Sequence, residues 1–152
     1  MKRRYPALLV ALALVPFVSC RKEADPVRAT IDALAEAADD RDADAAGDLL
    51  AAAYADAEHA DRAAALLTIR RYFAAYERIS TSFSDVQIDR KPEIARVTFT
   101  ASFDGAPMKI GSLDAMLPRS AKVEFEMNLV PEEGRWKVAW AGWRLVSEGT
   151  GP

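Results

Sequence analysis

The chain has 152 residues, of which 20 are Lys or Arg, 23 are Asp or Glu and one is His, giving a formal net charge of −3. No basic cluster follows the first four residues, so nucleic acid is not an expected partner. With one His and one Cys, and with no phosphate-binding loop or hydrolase motif, the sequence leads us to assign no metal, no cofactor and no catalytic residue.

Residues 1–19 have the composition of a secretory signal peptide. A positively charged start is followed by an uncharged apolar run, and a small residue precedes Cys20. The apolar run is too short to span a membrane, which takes about 20 residues. The sequence Val18-Ser19-Cys20 resembles the lipobox of bacterial lipoprotein signal peptidase, and it departs from that motif at Phe17, where an aliphatic residue is favoured.

This resemblance implies that Cys20 is acylated, for example with palmitate, and becomes the N-terminus of the mature protein. Two acyl chains anchor a protein stably, at ~0.8 kcal/mol per buried methylene. Cys20 is the only cysteine, so the chain has no internal disulfide; the alternative is an ordinary signal peptide followed by a chance cysteine. Arg21 follows the cysteine, and the enterobacterial sorting rule then favours the outer membrane, with the domain facing the periplasm.

Removal of the signal peptide leaves a single domain of ordinary size. We expect a polar tether over residues 20–25, a folded domain over 26–147 and a flexible tail over 148–152. The signal peptide contains three of the basic residues and no acidic residue, so the mature chain would have a formal charge of −6.

The first half of the mature chain is predicted to be helical. Asp25 can cap a helix over 26–39 that has proline at its first position and apolar residues at spacings of three and four. An alanine-rich second helix is predicted over 43–53. A third helix, predicted over 61–79, has a continuous apolar stripe.

The second half alternates with period two, which predicts an antiparallel sheet with one wet face and one face packed on helices. A short strand around 85–89 precedes strands over 95–103 and 121–130. The inward positions of these two longer strands have only apolar side chains. A turn at 131–134 leads into the last strand, predicted over 135–146.

The last strand changes phase part of the way along. Three residues share one face at its start: Trp136, Val138 and Trp140. Trp143 and Leu145 have the opposite parity. A bulge or bend at Gly142 would return these two side chains to the core side, whereas in the alternative they stay outside and contact a partner.

Three helices followed by a curved four-stranded antiparallel sheet resemble the nuclear transport factor 2-like fold, an α+β cone. Residues 49–56 are similar to the family's second helix and its exit, 61–73 to the long third helix, and 134–138 to the final hairpin. The likeness spans about residues 26–147. It implies a pocket between the helices and the concave sheet face, on a scaffold that serves isomerases, dehydratases and binding modules.

Five aromatic side chains are candidates for lining that pocket: Tyr54, Tyr76, Phe99, Trp136 and Trp140. Because the inward strand positions have no ionisable group, the sheet offers nothing for general acid–base catalysis. Asp56 and His59 follow the second helix, where we interpret them as a turn residue and a solvated loop histidine. In the alternative hypothesis they act with a tyrosine as the catalytic groups of an enzyme.

The segment 104–120 is too long for a tight hairpin and too apolar for a solvated loop. Five of its side chains need cover: Met108, Ile110, Leu113, Met116 and Leu117. They could fold over the cone as a lid, pack as a short helix or dock on a partner.

These patterns favour a lipid-anchored envelope module that binds an apolar small molecule or a protein partner. An isomerase- or dehydratase-like enzyme on the same cone is the first alternative. A structural protein that self-associates, for instance as a homodimer, is the second.

Overall fold

In the part of the chain that the structure describes, three helices precede four strands, in the order that the sequence predicts. The computed structural model describes residues 24–109 and 117–146. The elements are α1 (Pro26–Asp39), α2 (Ala43–Asp48), α3 (Arg62–Ala74), β1 (Tyr76–Arg90), β2 (Ala95–Pro107), β3 (Ser120–Glu132) and β4 (Arg135–Leu145). The predicted fold class, α+β with three helices packed on a four-stranded antiparallel sheet, is confirmed. The predicted signal peptide, Cys20 and the predicted tail 148–152 lie outside the described residues.

Aspartate side chains cap all three of these helices. Asp25 accepts a hydrogen bond from the Val27 backbone N–H at 2.9 Å, with proline at the first helical position as predicted. Asp42 caps α2 and Asp61 caps α3 in the same way. The starts of the helices therefore follow from local chemistry alone.

The predicted ends of the second and third helices are wrong. Helix α3 stops at Ala74, and Tyr76 and Ile79 belong to β1. The run from Ile79 to Phe83 is rich in β-branched and hydroxyl residues, and the backbone of β2 supplies its hydrogen-bond partners. Helix α2 stops at Asp48 because the backbone that follows it pairs with Val138 of β4 at 2.8 Å.

The sheet is an antiparallel meander in the order β1-β2-β3-β4. On its helix-facing side, Val97 of β2 lies opposite Ile88 of β1 and Met127 of β3. Val27 and Ile31 of α1, both fully buried, belong to the same core as these sheet residues. Helix α1 thus packs against the sheet, where it contacts β1 and β4, and α3 contacts β1.

A bulge in β4 decides which side chains face the helices. Val138 pairs with Leu129 and Trp140 pairs with the next residue, Asn128, so Ala139 is the extra residue. The bulge lies three positions before the predicted Gly142. Beyond the bulge, Trp143 and Leu145 return to the helix-facing side, as predicted. Trp140 turns to the outer face, so the prediction that it shares a face with Trp136 is wrong. The Trp140 ring lies over Gly142, where a Cβ atom would sit 2.6 Å from it.

Candidate functional site

The side chains predicted to line a pocket mostly fill the interior of the cone. Phe99 is buried and stacks on Phe125 with ring centroids 5.3 Å apart. Tyr54 and Tyr76 are also buried, and the Tyr76 hydroxyl donates to the Pro118 carbonyl at 2.9 Å. Trp136 is half-buried against the core, and Trp140 is on the outer face.

One aromatic side chain from each strand forms a continuous line across the sheet, which we call the aromatic row. It consists of Phe83, Phe99, Phe125 and Trp143. Adjacent ring centroids are 4.7, 5.3 and 6.4 Å apart, and the His59 ring extends the line 6.3 Å beyond Trp143. Phe99 is buried in the core but Trp143 is 39% exposed, so the row opens to solvent at one end. We call this end of the molecule the cone mouth.

His59 belongs to a line of hydrogen-bonded side chains at the cone mouth, which we call the polar chain. The Tyr54 hydroxyl donates to Asp56 Oδ2 at 2.6 Å. His59 Nδ1 lies 3.0 Å from both Asp56 carboxylate oxygens, and His59 Nε2 lies 3.0 Å from Thr68 Oγ1. The residues come from the loop after α2 and from the middle of α3.

Asp56 also organises the loop that holds the histidine. Its Oδ1 accepts the backbone N–H groups of Glu58 and His59, both at 2.7 Å. The Asp56 side chain is fully buried, and the His59 side chain is only 15% exposed. Asp56 is therefore a turn residue, as predicted, while the prediction that His59 is a solvated loop histidine is wrong.

The electrostatics of this carboxylate follow from its partners. Burial by itself would raise the pKa of Asp56, but the hydrogen bonds from Tyr54, His59 and the loop backbone outweigh burial and lower the pKa below its ordinary value. Burial, followed by the Asp56 carboxylate, raises the pKa of Tyr54, so that its hydroxyl stays protonated. Asp56 is thus ionised at neutral pH and can only accept hydrogen bonds.

An ionised Asp56 fixes the tautomer of His59. The ring proton of a neutral His59 must lie on Nδ1, because Nδ1 donates to the carboxylate. His59 Nε2 is then an acceptor, and the Thr68 hydroxyl donates to it. A carboxylate, an imidazole and a hydroxyl in this order form an arrangement that can accept a proton or a hydrogen bond at its outer end.

A concavity with a volume of about 560 Å³ lies over the sheet, and its lining includes Phe99, Phe125 and Trp143 of the aromatic row. Outward side chains of all four strands contribute to it, among them Gln87, Thr98, Thr100, Glu124, Glu126 and Arg144. Its two glutamates form ion pairs, Glu126 with Arg96 at 2.8 Å and Glu124 with Arg144. Paired charges and threonine hydroxyls are typical of a solvated sheet face, so we place the candidate site at the cone mouth.

Sequence reasoning missed two residues of the site, Thr68 and Trp143. Thr68 is one of several polar residues on α3, and nothing local distinguishes it. The aromatic row had a signal, because Phe99, Phe125 and Trp143 occupy matching inward positions on three strands once the Ala139 bulge is counted. Among residues 24–109 and 117–146, no group of three potential metal ligands occurs.

The predicted lid residues fall partly within the structure. Residues 104–107 extend β2, and Met108 beyond them is exposed, with its backbone N–H bonded to the Ala75 carbonyl at 2.8 Å. Leu117 is half-buried. Ile110, Leu113 and Met116 lie outside the described residues, so the choice among lid, core and partner contact stays a prediction.

Comparison with solved structures identifies the fold. A candidate scytalone dehydratase from Novosphingobium aromaticivorans superposes with a TM-score of 0.69 at 15% identity, over 80% of this chain and 82% of that protein. A nuclear transport factor 2-like superfamily protein from Salmonella enterica gives 0.67 at 9% identity, over 82% and 92%. Bd1075 from Bdellovibrio bacteriovorus gives 0.66 at 8% identity over 79% of this chain, which spans only 40% of that protein.

The chain therefore has the nuclear transport factor 2-like cone fold, a fold with dehydratase members, as its resemblance predicted. No protein-family model matches the sequence. No curated protein matches it either. Within the described ranges no helix is long and apolar enough to cross a membrane.

Proposed function

We propose that the protein is a lipid-anchored module of the bacterial envelope that binds an apolar aromatic small molecule at the cone mouth. The observation that supports this most directly is the aromatic row, which leaves the core and becomes exposed at Trp143 beside His59. Exposed aromatic surface next to a few fixed polar groups is typical of small-molecule sites. Leu145, 75% exposed on the same side of β4, extends the apolar surface.

The anchor is the second part of the proposal. It is supported by the signal-like segment 1–19, by the lipobox resemblance and by the single cysteine at its end. The tether of residues 20–25 would hold α1 within about 20 Å of the bilayer, since an extended chain spans at most ~3.6 Å per residue. The site would then act at the membrane surface, in an aqueous compartment that apolar molecules cross.

Replacing Trp143 by alanine is expected to weaken the binding of 2-naphthol, a small aromatic probe, by about tenfold. The substitution removes the exposed ring on which the probe would stack, an interaction of about 0.5–1.5 kcal/mol besides the buried area. Isothermal titration calorimetry on the mature chain with Cys20→Ser would measure it. Trp140→Ala is the matched control, because that ring lies on the outer face. Equal affinities for the two variants would reject the proposed site.

A second candidate function is proton abstraction from a bound molecule, as in an isomerase or a dehydratase. The observation that favours it is the Asp56–His59 pair, in which a buried carboxylate 3.0 Å from Nδ1 orients the imidazole and leaves Nε2 on its outer side. The similarity to the candidate scytalone dehydratase is a similarity of fold. The second candidate function therefore rests on the Asp56–His59 pair.

Proton abstraction predicts that the protein speeds hydrogen exchange at carbon. In deuterated buffer, NMR should show deuterium entering the acidic C–H positions of 2-tetralone faster with the protein than without it. His59→Gln should reduce this catalysed exchange at least 100-fold, which is the usual contribution of a general base. Exchange at the same rate with both proteins would exclude His59 as a base.

A further inference from the structure

The hydrogen bonds of the polar chain converge on the Asp56 carboxylate. Asp56 is at its centre and accepts from the Tyr54 hydroxyl, from His59 Nδ1 and from two backbone N–H groups. In the neutral imidazole, the proton on Nδ1 leaves Nε2 as an acceptor, and the single proton of the Thr68 hydroxyl is used in the bond to Nε2. Among the side chains of the polar chain, Tyr54, Asp56, His59 and Thr68, no donor is then left over at the end that faces the cone mouth.

A molecule at the cone mouth therefore meets only acceptors at the end of the polar chain. One acceptor is Thr68 Oγ1, which is exposed and retains free lone pairs. The other is His59 Nε2, which becomes available if the Thr68 hydroxyl rotates to the carbonyl four residues earlier in α3, a common alternative for helical threonine. Both routes accept a hydrogen bond from the ligand, and neither donates one.

We propose that the site selects apolar aromatic molecules bearing a hydroxyl group, that is phenols and aryl alcohols, over analogues of the same shape that can only accept hydrogen bonds. This inference rests on the proposed binding function and specifies its ligand class. The aromatic row would contact the ring, and the end of the polar chain would contact the hydroxyl. An ether or a ketone in the same position would lose its hydrogen bonds to water and gain none in return.

The test compares 2-naphthol with 2-methoxynaphthalene, which has the same ring but no hydroxyl proton. By calorimetry at pH 8, where 2-naphthol is largely protonated, the naphthol should bind the mature chain with Cys20→Ser about tenfold more tightly than the methoxy compound. His59→Phe should reduce this ratio to about one, because it removes the acceptor and the group that orients Thr68. Thr98→Val, on the outer face of the sheet, is the matched control and should keep the ratio.

A second measurement needs no substitution in the site. His59 is the only histidine, so its Nε2 resonance is unambiguous in a ¹⁵N NMR spectrum. Adding 2-naphthol should shift that resonance, and adding 2-methoxynaphthalene at the same occupancy should not.

The outcomes separate this inference from the proposed function. If both probes bind equally and Trp143→Ala weakens both, the cone mouth is a binding site but the inferred preference for a hydroxyl is wrong. An unchanged Nε2 resonance at saturating 2-naphthol would contradict the inferred contact in the same way. If neither probe binds, the proposed function itself fails.

Discussion

Replacing Cys20 by serine is expected to abolish acylation of the protein and to release it from the membrane fraction. Serine lacks the thiolate to which the first acyl chains are attached, and without them the polar tether has no apolar group to insert. Cells grown with alkyne-palmitate, followed by fractionation and fluorescent labelling, would measure both effects. We expect complete loss of label and transfer of the protein to the soluble or precursor fraction.

Ser19→Ala is the matched control, since it keeps a small residue before the cleavage point and should leave labelling intact. A Cys20→Ser protein that still takes up label, or that still sediments with membranes like the native protein, would contradict lipidation at this residue. The location proposed for the domain would then have to be abandoned too.

Replacing Asp56 by asparagine is expected to destabilise the folded domain by about 2–4 kcal/mol at pH 7. The carboxylate is fully buried and accepts hydrogen bonds from Tyr54, from the His59 ring and from two backbone N–H groups. An asparagine would direct its own N–H₂ group at some of these donors and leave them unpaired. Thermal melts followed by circular dichroism should show a Tm lower by roughly 10 °C.

The effect of this substitution should depend on pH with a defined sign. Because the fold lowers the pKa of Asp56, its stabilising contribution is fully present above the pKa of the unfolded chain, about 3.9, and is lost as the pH falls through the lower folded value. The difference in Tm between the two proteins should therefore be full at pH 7 and should shrink below about pH 4.

Asp48→Asn is a suitable control, since Asp48 is exposed at the end of α2 and should change stability by less than about 0.5 kcal/mol. Asp56→Asn with an unchanged Tm at pH 7 would show that the polar chain does not hold the loop. A difference in Tm that persists undiminished at pH 3 would contradict the assignment of the effect to the ionised carboxylate.

Much of the fold could be predicted because the interactions that set its helix starts and strand faces act between residues close in sequence. The cap formed by Asp25 and the proline after it place the start of α1 correctly, since both act within one turn. The alternation along β2 and β3 identifies the inward side chains, because side chains of a strand point to opposite faces in turn. These elements were enough to indicate the cone.

The boundary between α3 and β1 could not be predicted in this way. The apolar stripe of α3 continues in helical spacing through Tyr76 and Ile79, so local periodicity favours a longer helix. From Tyr76 onward, the chain pairs with β2 as a strand and does not continue the helix. Hydrogen bonds to a distant strand leave no trace in the spacing of nearby residues.

The candidate site also combines features that the sequence determines with features that only the tertiary structure decides. By itself, the sequence determined the signal-like segment ending at Cys20, the acid-free core of the sheet and the presence of Asp56 and His59 in one loop. Only the tertiary structure decided that Thr68 meets the far side of the imidazole and that Trp143 lies beside it. The reason is physical, since one extra residue at Ala139 reverses the face of every later side chain in β4, and the packing of α3 sets what its middle turn can reach.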